Sequence, residues 1–227
     1  MSSALRIRVW DLPTRAFHWA LVILAIFSFA TGKIAGSWVE WHMRSGYAIL
    51  TLLIFRLAWG VVGSETARFA SFVRGPRRAL AYARGLFAPV HPFTLGHNPV
   101  GGWMVLLLLA AFLAQALSGL FVDDEIANQG PLAAKASNAF VARMSQVHEV
   151  NQWILVAAAA AHVSAIAFYR FKLKVELVGP MVHGWKTLPA EPRVPEPARA
   201  SPFIAAVLLA CAAAFVYWLV VIYARPS

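Results

Sequence analysis

Val147-His148-Glu149-Val150-Asn151-Gln152-Trp153-Ile154-Leu155-Val156-Ala157-Ala158-Ala159-Ala160-Ala161-His162 is the stretch on which the reading of this chain turns. From Val150 to Tyr169 it carries no charge, and about 20 apolar residues suffice to cross a bilayer as a helix. The two histidines are fourteen residues apart. That is close to four whole helical turns, so they share one face and lie about 21 Å apart along the axis. An ionisable side chain inside a membrane span is costly, so a pair of them at two depths calls for a function.

Composition says the helix has company. The chain has 227 residues, 60% hydrophobic and 13% charged, against about 25% charged in an ordinary soluble domain. Five segments read as spans: Ala16 to Gly32, about Trp41 to Val62, Gly101 to Val122, Val150 to Tyr169 with a start one turn earlier, and Ser201 to Ala224. A single cysteine, Cys211, excludes a disulfide framework and an iron–sulfur cluster held by this chain alone. There is no CxxCH for covalent haem attachment. The N-terminus does not read as a cleaved signal peptide, because no small-residue site follows its apolar run.

The net charge of +10 would suggest nucleic acid in a soluble protein. Here its distribution suggests topology instead. The N-terminus, the loop between spans two and three, and the loop between spans four and five carry fourteen of the basic residues, from Arg6 to Arg199. The other side holds five: Lys33, Arg44, Lys135, Arg143 and Arg225. By the positive-inside rule the N-terminus is cytoplasmic and the C-terminus outside. The Pro-rich stretch Pro189 to Pro197 reads as an extended cytoplasmic linker, which makes span five an appendage to a four-helix unit. Phe69 to Tyr82 reads as a surface-lying amphipathic stretch.

Direction fixes depth. His18 lies one turn into span one, near the cytoplasmic face, and His162 falls at the same depth. His42 and His148, each at the start of its span, fall near the outer face. Two pairs follow: His18 with His162, and His42 with His148. Paired imidazoles on facing helices are a means of holding b-type haem. Arg56, fourteen residues after His42, reaches the inner depth and is a candidate partner for a propionate. Gly46 and Ala158 to Ala161 leave room for a macrocycle. Zinc or iron ligation is the rival, weakened because the pairs are too far apart to share an ion and no carboxylate accompanies either pair within a span. His91, His97 and His183 read as ordinary loop histidines, and most of the nine tryptophans as an interfacial belt.

Several stretches resemble one family. They are Val9-Trp10-Asp11-Leu12-Pro13-Thr14-Arg15 with Phe17-His18-Trp19, Trp41-His42 with Gly46-Tyr47, Phe55-Arg56-Leu57 with Trp59-Gly60, Gly96-His97-Asn98-Pro99 with Gly101-Gly102-Trp103, Val147-His148-Glu149, and Ala161-His162. In order and spacing they resemble the bacterial cytochrome b561 and nickel-iron hydrogenase cytochrome b superfamily, over about Val9 to Lys186. The resemblance implies an all-α membrane protein, a four-helix transmembrane bundle holding two b haems, here with a fifth C-terminal transmembrane helix. It implies His18 and His162 on the inner iron and His42 and His148 on the outer.

On that reading residues 1–186 form the di-haem domain, 187–200 the linker and 201–227 the fifth helix. Arg15 and Arg56 would anchor inner propionates and raise that haem's potential, with Lys33 and Arg44 doing the same outside. The expected function is electron carriage across the bacterial inner membrane between the quinone pool and a periplasmic c-type cytochrome or dehydrogenase. The acidic stretch Asp123-Asp124-Glu125, in the Asp123 to Ser145 loop, is the expected docking surface. His97, His183 and Glu149 are candidate proton carriers if quinone is reduced. The alternatives are the cytochrome b subunit of a nickel-iron hydrogenase, or, in another class, a non-redox membrane anchor or metal transporter. No nucleic-acid partner is expected. Self-association stays open, as does enzymatic activity beyond that of an electron-transfer subunit.

Overall fold

Four of the long helices start at a side-chain cap that the sequence supplies. In the computed structural model, which describes residues 5–34, 36–86, 94–124, 128–188 and 195–225, helix α1 (Leu12–Thr31) opens on Asp11, whose carboxylate accepts from Thr14 N at 2.7 Å. Helix α5 (Pro99–Gly119) opens on Asn98, which accepts from Gly101 N. Helix α6 (Asn138–Phe171) and helix α8 (Pro202–Tyr217) open on Ser137 and Ser201. These caps satisfy amide donors that a helix start leaves without partners. Helix α2 (Trp38–Val62) completes the set of five helices long and apolar enough to cross a membrane. A π-helical turn, Trp218–Tyr223, lengthens α8.

The five form an all-α bundle turned inside out relative to a soluble protein. Ile23, Ile26, Val163 and Phe203 are 65%, 67%, 63% and 75% exposed, as apolar side chains facing lipid should be. Helix α2 is central, packing on α1, α5 and α8. The core joins Phe17, Ile49, Leu53, Phe55 and Trp59 to Leu109 of α5 and to Ala205 and Ala212 of α8. The fifth helix is therefore part of the bundle's packing and not an appendage. Helix α6 packs along α5 and stands off from α1 and α2 over most of its length. Of its 34 residues, Asn151 and Ala158 are the buried ones among those described.

One end, here called the basic end, collects the N-terminus and the two arginine- and lysine-rich connections. Strand β1 (Leu5–Arg8) pairs antiparallel with strand β2 (Trp185–Leu188), and Arg6 and Arg8 lie over the Trp185 ring. The sequence reading missed this pair, and Thr187 and Leu188, expected in the linker, are strand. The amphipathic stretch resolves into two short helices, α3 (Phe69–Phe72) and α4 (Pro76–Gly85). A last short helix, α7 (Val178–His183), precedes β2. Of the expected linker, Pro189 to Val194 lie outside the described residues, and the part that follows is docked: Glu65 N donates to Ala198 O, and Ala198 N to the Glu65 carboxylate.

The α2–α3 junction is tight. Trp59 is fully buried, and its indole N–H donates to Asp11, tying the end of α2 to the start of α1. A Cβ on Gly60 would stand 2.0 Å from the Phe69 ring. Gly60→Ala is therefore expected to destabilise the protein by about 1–3 kcal/mol, the usual cost of overpacking. A thermal melt in detergent would read this as a lowered midpoint; an unchanged midpoint would mean Phe69 yields freely.

Candidate functional site

The structure brings His42 and His148 together. Their ring centroids are 6.0 Å apart with planes at 89°. Neither histidine is at a helix start. His42 is in the second turn of α2, and α6 begins about two turns before the expected point, at Asn138, so His148 is well inside it. The Asp123 to Ser145 connection is correspondingly shorter, its last part being helix.

Each of these imidazoles is fixed from behind. His42 Nδ1 lies 2.8 Å from the Ser28 carbonyl oxygen and His148 Nδ1 lies 3.0 Å from that of Gln115. A carbonyl only accepts, so in both rings Nδ1 carries the proton and donates it. Nε2 is left with its lone pair, the form needed to bind a metal. The Gln115 amide donates to His148 O, and Asn151 donates to Gln115 Oε1 and Ala111 O. These bonds clamp α6 to α5 around the ligand. Two glycines complete the support: a Cβ on Gly32 would meet His42 Nδ1 at 2.8 Å, and one on Gly119 would meet His148 Cε1 at 2.9 Å.

At the basic end the arrangement differs. His162 is close enough for its charge to act on His18. Here the polar atoms lack partners. Arg8 Nε, Thr14 Oγ1, Arg15 Nε, His18 Nδ1, Arg56 Nη1 and His97 Nδ1 are buried with no hydrogen-bond partner among the described residues. All six belong to segments at this one end. Buried polar atoms are nearly always satisfied, so a cluster of orphans marks a polar group that belongs there. Arg56 is 3% exposed; its Nη2 donates to Ala67 O and its guanidinium lies 4.9 Å from the Phe69 ring centroid. Arg15 donates from Nη1 to the Val182 carbonyl, which ties α1 to α7.

The residues fit b-type haem. A gap of 6.0 Å between ring centroids admits one metal with an imidazole on each side, since metal–imidazole bonds are about 2 Å. A Cβ on Gly46, one turn past His42, would meet nothing within 4 Å, so the backbone leaves space beside the ligand. Among the described residues no group of three or more His, Cys, Asp or Glu could hold a bare ion, and each pair offers two imidazoles, an axial set short of a four-coordinate zinc site.

The remaining candidates fall elsewhere. Lys33 donates to Gln152 and sits over Phe29 and Trp153, and Arg44 pairs with Glu40. Glu149 is exposed and lines a groove on α6 with Gln146 and Trp153. His183 is exposed at the end of α7. Asp123 bridges to Gln129 and Asp124 accepts from Asn128; Glu125 and His91 lie outside the described residues.

His97, read from the sequence as a loop histidine and a candidate proton carrier, stands against the bundle. It packs between Trp10 and Phe72, with ring centroids at 4.7 and 4.5 Å. Burial, with the Arg56 charge next and those of His162 and His18 after it, lowers its pKa to about 3, so the ring is neutral at physiological pH. The signal was the cap: His97 directly precedes the N-cap Asn98, a position whose side chain folds back onto the first turn. There Gly102 makes room for Phe72, the ring His97 packs on.

The sequence profile of prokaryotic cytochrome b561 matches residues 9–184, the length of chain from the start of the Trp10-Asp11 cap through α7. Neither the curated proteins nor the solved structures gave a match. With five apolar helices and this match over most of its length, the chain belongs to the prokaryotic cytochrome b561 family.

Proposed function

We propose that this membrane cytochrome holds two b haems at two depths and carries electrons across the bacterial inner membrane. It would connect the quinone pool with a redox partner on the far side. His42 and His148 hold the outer haem iron, and His18 and His162 the inner one. The observation that supports this most is the facing pair His42 and His148, 6.0 Å apart, each with Nδ1 committed to a carbonyl.

When bound, haem supplies a one-electron iron couple. The chain's own residues do the rest. The Ser28 and Gln115 carbonyls hold the outer imidazoles in the ligating tautomer and restrict their rotation. Arg56 presents a desolvated positive charge at the inner depth, where it stabilises the reduced state and favours a higher potential. Arg15 adds a second positive charge at the same end. Residues 1–186 act as the haem-carrying unit, with 201–227 packed against it through α2. The charge asymmetry supports a cytoplasmic N-terminus and a periplasmic C-terminus. The acidic pair Asp123 and Asp124 then faces the periplasm, which favours a c-type cytochrome with a basic docking rim over other partners.

The test uses sealed proteoliposomes loaded with ferricyanide, with a membrane-impermeant reductant outside. Haem-loaded wild type is expected to reduce the trapped ferricyanide, and His148→Ala and His162→Ala each to abolish this. No transmembrane reduction by the haem-loaded protein would overturn the conduit.

A further inference from the structure

His97 is a half-buried residue, its Nδ1 shut off from solvent, that the four-histidine scheme leaves unused. We propose that His97 and Arg56 together clamp the carboxylate groups of the inner haem, which makes His97 a positioning residue for that cofactor. This rests on the assignment of His18 and His162 to the inner iron.

Geometry puts the two donors on one wall. The Arg56 guanidinium lies 4.9 Å from the Phe69 ring centroid, Phe69 stands 5.9 Å from Phe72, and Phe72 stands 4.5 Å from His97. Each donor is committed on one side and unpaired on the other. Arg56 gives Nη2 to Ala67 O and keeps Nη1 buried, with no hydrogen-bond partner among the described residues. His97 is held by Trp10 and Phe72, with Nδ1 buried and likewise without a hydrogen-bond partner among the described residues. The acid within Arg56's electrostatic reach, Asp11, is already taken by Thr14 N and the Trp59 indole. A guanidinium N–H beside an imidazole N–H is the donor set that a carboxylate accepts.

The position argues for the haem over a free anion. On its outward side His97 borders a cavity of about 400 Å³ that opens between Thr94 to Pro99 and Pro195 to Pro197. That cavity is lined by two carboxylates, Glu65 and Glu196, against one cation, Arg74, which disfavours an anion there. On the bundle side His97 lies within electrostatic reach of His162 and His18. The carboxylate therefore comes from the bundle side, where the paired imidazoles are.

The test is optical redox titration of the haem-loaded protein with haem counted per chain. His162→Ala marks which centre is the inner one. His97→Phe keeps an aromatic ring between Trp10 and Phe72 but removes the donor. It is expected to keep both haems and to shift the inner centre's reduction equilibrium about tenfold toward the oxidised state, about 59 mV downward, with the outer centre unmoved. Arg56→Gln should move the same centre in the same direction, and the double variant should move it by less than the sum. His97→Gln, which restores an N–H, should return the potential toward wild type. An unmoved inner centre in His97→Phe, or movement of the outer centre instead, would overturn the clamp while leaving the two-haem assignment intact. A wild-type protein with fewer than two haems would overturn the assignment on which the clamp rests.

Discussion

His148→Ala is expected to leave a folded protein with one b haem in place of two, the inner one. The variant deletes one side of the facing pair, and His42 alone cannot supply two axial nitrogens. It should not unfold the bundle. The His148 ring is half-buried, and the α5–α6 clamp through Asn151, Gln115 and the residue 148 backbone carbonyl survives the change. His162→Ala is expected to give the mirror result, with the inner haem lost and the outer kept. Pyridine haemochrome content per chain reads both. If either variant lost both haems equally while remaining folded, the pairing by depth would be wrong.

The second large effect concerns two glycines that never touch the metal. A methyl group on Gly119 would stand 2.9 Å from His148 Cε1, and one on Gly32 would stand 2.8 Å from His42 Nδ1. In each case the nearest atom is the end of a side chain. The ring, and not the backbone, must move. A ring that moves gives up its bond to the Gln115 or Ser28 carbonyl and its aim at the metal. Disturbing such support around a metal ligand typically costs 10–100-fold in affinity. Gly119→Ala and Gly32→Ala are therefore expected to weaken outer haem binding by about that factor, with the helices intact by circular dichroism. Gly46→Ala is the control, since its added methyl meets nothing within 4 Å of the protein; it should perturb the outer haem only if the macrocycle occupies that space. Normal outer haem affinity in Gly119→Ala would show that His148 has slack.

Much of this was legible in residue order because membrane physics leaves few choices. An uncharged run such as Val150 to Tyr169 has to be helix, and a helix fixes both the face and the spacing of His148 and His162. The depth of His42 followed from the alternation of basic connections, and the structure places it beside His148. What stayed hidden depended on contacts between distant segments. The β1–β2 pair joins residues 5–8 to residues 185–188, and four-residue strands carry too little periodicity to announce themselves. The α6 start at Asn138 was missed because Arg143 and Glu149 end the uncharged run, although helices continue past the membrane without difficulty. The role of α8 was hidden because its alanine-rich face, with Ala205 and Ala212 buried, does not name its partner. His97 read as a loop histidine and a candidate proton carrier, because only the fold shows that Trp10 and Phe72 close around it.

The haem content of the purified chain tests the two-haem assignment most directly. Pyridine haemochrome analysis of protein from native-like membranes, normalised to chain concentration by amino-acid analysis, should give two b haems per chain, resolved by redox titration into two components. One haem, or none in a folded protein, would contradict it.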